Sequence, residues 1–511
     1  MNRGNGCLAF TAGVMLSAMM AQASVDGLRV VTWNISNYAG GRQVDLTTSI
    51  YGVFEGRSMD PDVLVVQEFI SQSAVDTMLG ILNNAQASPG DWAAAPFVNG
   101  PDTDGAMFYR TSKVEFLGLT ILPADPGTTG APRDVQRYDI GLVGYAAPAS
   151  QIAIYNSHMK AGSSSSDQAR RLIEAQKIRT NAETLDLDVN IMLVGDFNIQ
   201  SSNQAAYQHL IATIANYGKQ FADPIGTPGS WNNNFAFRFV HTQDPIGAGG
   251  MDDRHDQILV DPSFGDGVGL EYRGAFGVPY STTTWDDPNH SYRSWGNDGT
   301  SFDLALRTVG NTMVGEAIAI ALRNVATSGG HLPVFADFIV PGKIFADTVI
   351  DLGSIPVGSV VQGTLNVGNG GNVALWGPTG VGSINYVFDA DPGIVLAAGP
   401  FADEAGGTLN EHEFAFELAV DHPGGPVSAE VRVISDDVDQ PVVTIVIQAN
   451  VLAGCSPADL ALPFGVIDFF DAMVFLQAFS SNDPLADLND DGEFNFFDAQ
   501  LFLQAFAEGC P

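Results

Sequence analysis

Four apolar residues, Ile191-Met192-Leu193-Val194, run directly into Gly195-Asp196-Phe197-Asn198. An unbroken apolar run of this length, closed by glycine, reads as a strand buried on both faces, and such a strand commits its surroundings to a layered architecture. Asp196 and Asn198 then stand at its carboxyl end, where α/β folds gather functional groups around a cleft. An ordinary turn is the other reading, because Asp and Asn favour turns through local hydrogen bonds. The choice rests on whether other strands carry polar groups in the same way.

They do. Leu28-Arg29-Val30-Val31-Thr32-Trp33-Asn34 ends in a carboxamide, Asp62-Val63-Leu64-Val65-Val66-Gln67-Glu68 in a carboxylate, and Gln151-Ile152-Ala153-Ile154-Tyr155-Asn156-Ser157-His158 in an imidazole. Asp256 and His331 instead precede the apolar runs Gln257-Ile258-Leu259-Val260 and Leu332-Pro333-Val334-Phe335. Between His158 and the Asp196 strand, residues 163–185 open on serines and then space Ala169, Leu172, Ile173, Gln176 and Ile178 as an amphipathic helix. Strand, helix and strand in succession predict a layered α/β domain. Arg170, Arg171 and Lys177 are assigned to a solvated helix face, whereas Arg133, Arg137 and Lys160 lie nearer strand ends and are the phosphate-binding candidates.

The 511 residues exceed one ordinary core, so about two to four domains are expected. Residues 1–23 read as a signal peptide: Arg3, an apolar run from Cys7 to Met20, and Ala21-Gln22-Ala23 before the cleavage point. That run is too short to span a bilayer, so a secreted or extracellular protein without a transmembrane segment is expected. With the leader removed, Cys455 and Cys510 remain, and in an oxidising compartment a disulfide is expected of them, with no zinc-ligand spacing in sight. The net charge is −36, and all basic residues but Arg3, Lys343 and Arg432 lie in 24–340. That balance excludes a broad cationic surface for nucleic acid, yet a nuclease with a local basic cleft and a metal remains compatible with it.

Past residue 340 the pattern changes. Residues 341–452 hold alternating β-rich stretches separated by Gly, Pro, Asn and Asp turns, which predicts an antiparallel all-β sandwich and resembles immunoglobulin-like modules. Residues 453–511 are a duplication: Ala458-Asp459-Leu460 recurs as Ala486-Asp487-Leu488, and Phe475-Leu476-Gln477-Ala478-Phe479 as Phe502-Leu503-Gln504-Ala505-Phe506. In the second copy Asp487, Asn489, Asp491, Asn495 and Asp498 occupy the oxygen-ligand positions of an EF-hand-type loop, with Gly492 at its turn and Glu493 completing the candidate Ca²⁺ set. The first copy has Ala461 and Pro463 where oxygen ligands are needed. Duplicated calcium-loop–helix units of this size resemble dockerins, which implies a small α-helical module that binds Ca²⁺ and docks to a cohesin-like or cell-surface partner. Cys455 and Cys510 would clasp its two ends.

The segment of roughly 28–338 resembles the endonuclease/exonuclease/phosphatase superfamily, the deoxyribonuclease I-like proteins. The resemblance rests on Thr32-Trp33-Asn34, Val66-Gln67-Glu68, Asn156-Ser157-His158, Gly195-Asp196-Phe197-Asn198, Arg254-His255-Asp256-Gln257-Ile258-Leu259 and Gly330-His331-Leu332-Pro333-Val334, all in family order. It implies a four-layer α/β sandwich over residues 24–340 with the site at one edge of two packed sheets. The implied roles follow phosphodiester chemistry. Glu68 would bind Mg²⁺ or Mn²⁺ and Asn34 would support the metal or the phosphate. Asp196 would align and deprotonate water, and Asn198 would hold the phosphate. His331 would contact the phosphate with its tautomer fixed by Asp256, and His158 would donate to the phosphate or the departing oxygen.

The reading is a monomeric, metal-dependent phosphodiesterase, an endonuclease acting on nucleic acid. A sphingomyelinase-like or small phosphate-ester hydrolase of the same fold is the alternative. One departure from the family pattern stands out: Gly330 occupies the place of an aspartate that normally joins the metal site. Asp337 or Asp303 would have to replace it, or the chain is a surface-anchored binding protein that has lost catalysis.

Overall fold

The structure, a computed structural model, describes residues 26–247, 249–327, 329–419 and 424–510. The signal peptide expected over 1–23 lies outside the described residues. Two sheets dominate the N-terminal half. Their strands in chain order are β1 (Leu28–Tyr38), β2 (Val63–Phe69), β3 (Trp92–Ala94), β4 (Asp104–Arg110), β5 (Val114–Leu122), β6 (Val135–Leu142), β7 (Gln151–Asn156), β8 (Asn190–Asp196), β9 (Asp256–Val260), β10 (Glu271–Tyr272), β11 (Arg293–Ser294) and β12 (Val334–Ile339). The first sheet runs β10-β12-β1-β2-β4-β3 with β11 on the flank of β12, and the second runs β5-β6-β7-β8-β9. Parallel pairing joins β1 to β2 and β7 to β8, so Asn34, Glu68, His158 and Asp196 all emerge at the same edge.

The alternation of side chains across each strand separates the layers. Val30, Val63, Ile154, Met192, Val194 and Ile258 interdigitate between the two sheets. On the outer face of the first sheet, Val31, Trp33, Leu64 and Val66 pack against α1 (Gln43–Tyr51), α2 (Gln72–Asn84) and α5 (Gly315–Val325). Tyr155, Ile191 and Leu193 on the second sheet are covered by α3 (Ser165–Ala182) and α4 (Ala205–Ile211). The result is helices, sheet, sheet and helices, the four-layer arrangement expected. Helix α3 starts where the serines predicted: Ser164 caps the Asp167 N–H, and Asp167 reaches back to the Ser164 N–H as a capping box.

Arg171 corrects the expectation of a solvated face on α3. It is fully buried, and its guanidinium donates to the carbonyls of Lys160 and Gly162 and to Gln204. A buried guanidinium needs acceptors for its donors, and the loop that follows His158 supplies them. The loop is pinned as a consequence.

Residues 344–452 form a β-sandwich of β13 (Ile344–Ala346), β14 (Val349–Pro356), β15 (Val360–Asn369), β16 (Ile384–Ala390), β17 (Ile394–Leu396), β18 (Phe401–Asp403), β19 (Asn410–Glu417), β20 (Gly425–Ser435) and β21 (Val442–Leu452). The sheets are β13-β15-β19-β17 and β14-β21-β20-β16-β18. The expected antiparallel pattern is broken at one edge, where β14 pairs with β21 in parallel. Almost the whole sandwich separates those two strands in sequence, so no short hairpin imposes the antiparallel sense.

A short helix, α6 (Val373–Trp376), leaves this sandwich and enters the α/β domain. Trp376 and Val381 belong to the same buried cluster as Leu28, Val30 and Phe338, and the Trp376 carbonyl accepts the Gly27 N–H at 2.5 Å. Lys343 also donates to Asp439 at 2.9 Å, and Asp439 accepts the N–H groups of Ala146 and Ala147.

The last segment contains α7 (Phe469–Ser481) and α8 (Phe496–Glu508), capped alike by Asp468 with Asp471 and by Asn495 with Asp498. The duplication is thus visible in the local structure. Phe475 of α7 stacks on Phe502 of α8 with ring centroids 4.1 Å apart, and Cys455 bonds Cys510. Asp459 lies beside those two sulfurs, but disulfide sulfurs are not thiolates, so the three do not make a zinc site.

Candidate active site

Asn34, Glu68, His158, Asp196, Asp256 and His331 reach one edge of the paired sheets on, or directly beside, six different strands. Backbone bonds from Ser157 N to Val194 O and from Met159 N to Asp196 O continue the β7–β8 pairing past Asn156 and carry His158 to Asp196. Gly195 adopts φ +135°, and a β-carbon there would run into the Ser157 carbonyl, so this position requires glycine. Glu68 and Asn198 sit at φ +64° and +52°, a left-handed backbone that turns each side chain out of its strand. Gln67 donates to Asn156 Oδ1 at 2.8 Å while Asn156 donates to the Val66 carbonyl at 3.0 Å, which ties the two sheets together beneath the site.

The convergence is tight. Asn34 Nδ2 donates to Glu68 Oε1 at 3.0 Å and to Asp196 Oδ2 at 3.1 Å. His158 Nε2 lies 3.3 Å from Asp196 Oδ2, and its Nδ1 lies 3.9 Å from Glu68 Oε1. His331 Nδ1 is 2.7 Å from Asp256 Oδ2 and 3.7 Å from Asp196 Oδ2. Asp256 opens β9, as expected, and its Oδ2 also accepts from the Thr242 hydroxyl at 2.6 Å. These bonds hold the His331 ring in one orientation.

Electrostatics separates the two histidines. Burial opposes charge on both. At His331 the carboxylates of Asp256 and Asp196 outweigh burial and push its pKa up to about 10, so it is an imidazolium near neutrality. At His158 burial prevails, assisted by the Arg133 guanidinium, and the ring is held below its usual pKa. Burial would raise Asp196, yet His331, His158, His255 and the Asn34 hydrogen bond keep it well below the usual carboxylate range. The site therefore pairs a buried anion with a buried cation and leaves a neutral imidazole beside them.

The remaining candidates divide. Asn198 reaches the cluster through its own N–H, which donates to Asp196 Oδ1 at 3.0 Å, while its side-chain nitrogen donates to the Met159 carbonyl at 3.2 Å. Arg133 lies near enough to depress His158 and is paired with Asp102 at 3.1 Å. Lys160 sits on the loop after His158 and pairs with Asp167 at 3.1 Å. Arg137 is not brought to the site: it faces α3, bonding Asp139 through two nitrogens and Asn181 through a third. Its strand position is near the edge, but the alternation of side chains turns it onto the outer face.

Neither proposed substitute for the Gly330 position arrives. Asp337 is locked to Arg29 by bonds of 2.6 and 2.8 Å, and Asp303 lies on a separate loop, where it acts on Asp252. A β-carbon on Gly330 would stand 3.0 Å from the Ala326 backbone and 3.1 Å from Ser36 Cβ, so this backbone has little room for a larger side chain. Two further residues join the site. His255 is buried, places its ring centroid 6.2 Å from that of His331, and helps to hold Asp196 ionised. Its only sequence signal was its place directly before Asp256. Thr242, which anchors Asp256, had none.

The donor set suits a hard divalent cation. Two carboxylates from different sheets, Glu68 and Asp196, converge on one amide group, and among the described residues no lysine or arginine pairs with either. Glu68 would hold such an ion, with the Asn34 amide, whose nitrogen donates to both carboxylates and whose oxygen accepts the Ser36 N–H, in support. Few protein ligands suit Mg²⁺, which keeps several waters.

A four-layer α/β domain whose opposed sheets aim carboxylates, carboxamides and histidines at one edge is built for hydrolysis at a charged centre. Residues 31–277 match the model of the Endonuclease/Exonuclease/phosphatase family, which supports a domain of that family over those residues and, with it, a hydrolase. Enzymes of this family generally use divalent metals such as Mg²⁺. Among solved structures, the human Nocturnin catalytic domain with bound sulfate is 15% identical, over 62% of this chain and 96% of that one, with a TM-score of 0.37. D. rerio TDP2 complexed with a single-strand DNA product is 13% identical, over 61% and 98%, with a TM-score of 0.35. A family protein from Bacteroides thetaiotaomicron is 18% identical, over 61% and 94%, with a TM-score of 0.32. No curated protein matches the chain. Among the described residues no helix is long and apolar enough to cross a membrane.

Proposed function

We propose that this chain is an exported, Mg²⁺- or Mn²⁺-dependent phosphodiesterase acting on nucleic acid. The observation that carries this reading is the meeting of Asn34, Glu68, His158, Asp196, Asp256 and His331 from six different strands within hydrogen-bonding or ion-pairing reach of one another. The cation bound at Glu68 would offset charge on the phosphate and the leaving group. Asp196, kept as an anion, orients a water molecule and takes its proton. His331, kept as a cation by Asp256, presents its Nε2 hydrogen to a non-bridging oxygen. His158, neutral, donates a hydrogen bond to the phosphate or to the departing oxygen, which takes its proton from solvent water as the P–O bond breaks. Arg133 at the rim supports a polyanionic substrate in a chain that is otherwise strongly acidic.

Purified protein incubated with plasmid DNA, RNA, sphingomyelin or a generic phosphodiester tests the reading. The expected result is nicking of plasmid in Mg²⁺ and none in EDTA. Turnover of sphingomyelin alone would move the substrate to phospholipid, and no turnover in any divalent metal would leave a binding protein.

For residues 453–511 we propose a dockerin-like module that binds Ca²⁺ in its second loop and attaches the chain to a cohesin-like or cell-surface partner. The side-chain oxygens of Asp487, Asn489 and Asp491 turn inward onto the N–H groups of Asp491, Gly492 and Glu493, and no lysine or arginine occurs in the segment. Asp498 accepts from Leu488 and Asn495 and closes the loop on α8. Calcium would relieve that uncompensated charge. The Cys455–Cys510 disulfide and the apolar leader support export. Millimolar Ca²⁺ is expected to slow proteolysis of this segment at least tenfold, and Asp487→Ala to abolish the effect; an undiminished calcium response in that variant would remove the loop from the reading.

A further inference from the structure

A cavity of about 410 Å³ opens on the outer face of the first sheet, at the end away from the catalytic edge. Arg29 lines it, five residues before Asn34 on β1, which sets the two places about 17 Å apart along the strand. Its wall holds four arginines, Arg29, Arg57, Arg273 and Arg293, against two carboxylates, Asp286 and Asp337. With Glu55 paired to Arg57, one positive charge, that of Arg273, is left over in this hollow of a chain whose net charge is −36.

Three of the guanidinium groups meet a carboxylate, Arg29 with Asp337 at 2.6 Å, Arg57 with Glu55 at 2.8 Å and Arg293 with Asp286 at 3.3 Å, while Arg273 meets none, and all four are also held by neutral acceptors. Arg57 donates to the carbonyls of Met313 and Thr312, Arg293 to those of His290 and Tyr292, and Arg273 to that of Asp26 and to Thr379. Carbonyl and hydroxyl oxygens orient the Arg273 guanidinium without cancelling its charge, and the Arg57 and Arg293 pairs with Glu55 and Asp286 are at the surface, where an incoming anion can compete for the guanidinium groups. Arg273 Nε is buried without a partner. Beside this charge stands a flat surface: the Arg57 guanidinium lies 5.2 Å from the Trp285 ring centroid, and the Trp285 indole N–H is fixed on the Thr312 hydroxyl at 2.9 Å. The volume falls within the roughly 300–1,000 Å³ of small-molecule sites.

We propose that this cavity is a second ligand site, separate from the catalytic edge, for a small organic anion that joins a phosphate or carboxylate group to a flat aromatic ring. The arginines take the anionic group through paired N–H donors, and Trp285 with the Arg57 plane takes the ring. Adenosine 5′-monophosphate is a fitting probe, with inorganic phosphate and adenosine as its separate halves.

Calorimetric titration of the full chain in EDTA tests the assignment. One saturable site for adenosine 5′-monophosphate is expected, at least tenfold tighter than for either half. Arg57→Gln and Arg293→Gln should each weaken it at least tenfold with an unchanged unfolding midpoint, and Asp196→Asn should leave it intact. The nucleotide should also quench tryptophan emission, a signal lost in Trp285→Phe, which reads occupancy without disturbing an arginine. No saturable binding, binding that both arginine variants retain, or binding abolished by Asp196→Asn would each overturn the site.

Discussion

Asp196→Asn is expected to lower the rate of phosphodiester hydrolysis by about a thousandfold, on the order of 4 kcal/mol in the barrier. The substitution keeps the shape of the side chain and its place at the end of β8 but removes the proposed proton acceptor. It also removes the negative charge that faces His331 at 3.7 Å and His158 at 3.3 Å. Both histidines then lose a group that favours their charged forms, although His331 keeps Asp256 at 2.7 Å. The loss should therefore appear in kcat more than in KM, since the proposed binding through Arg133 and a cation held at Glu68 would not require Asp196. Initial rates on a generic phosphodiester in Mg²⁺, with circular dichroism as a check on folding, would decide it. A decrease of less than tenfold would place the water-activating group elsewhere.

Trp376→Ala is expected to destabilise the α/β domain by about 3–5 kcal/mol, although residue 376 lies beyond its last strand in sequence. Trp376 is 1% exposed and fills the end of the cluster between the two sheets, beside Leu28 and Phe338. Truncation leaves a cavity that β1 and β12 cannot close, because both are fastened by their sheet partners. The backbone bond from Gly27 to Trp376 survives, so the loss reports packing. Urea unfolding followed through hydrolytic activity would measure it. An unchanged midpoint would mean that α6 is an ornament on the domain.

The amphipathic α3 with its Ser164 cap, the buried β8 strand and the ordered series of strand ends were legible because periodicity, capping and strand termini are local properties of the chain. The duplication before α7 and α8 was legible for the same reason. Arg137 and Arg171 show where local reading stops. Both were placed by their position in the chain, yet Arg137 turns to the outer face and Arg171 is buried under the loop after His158. His255 and Thr242 entered the site only once β9 and the loop at residue 242 were side by side. The parallel pairing of β14 with β21 and the insertion of Trp376 between sheets join residues far apart in sequence. By itself the sequence determined which chemical groups stand at the ends of which strands. Only the tertiary structure decided which of them meet, because the direction of a side chain and its distant neighbours follow from how the layers pack, and no local pattern encodes that packing.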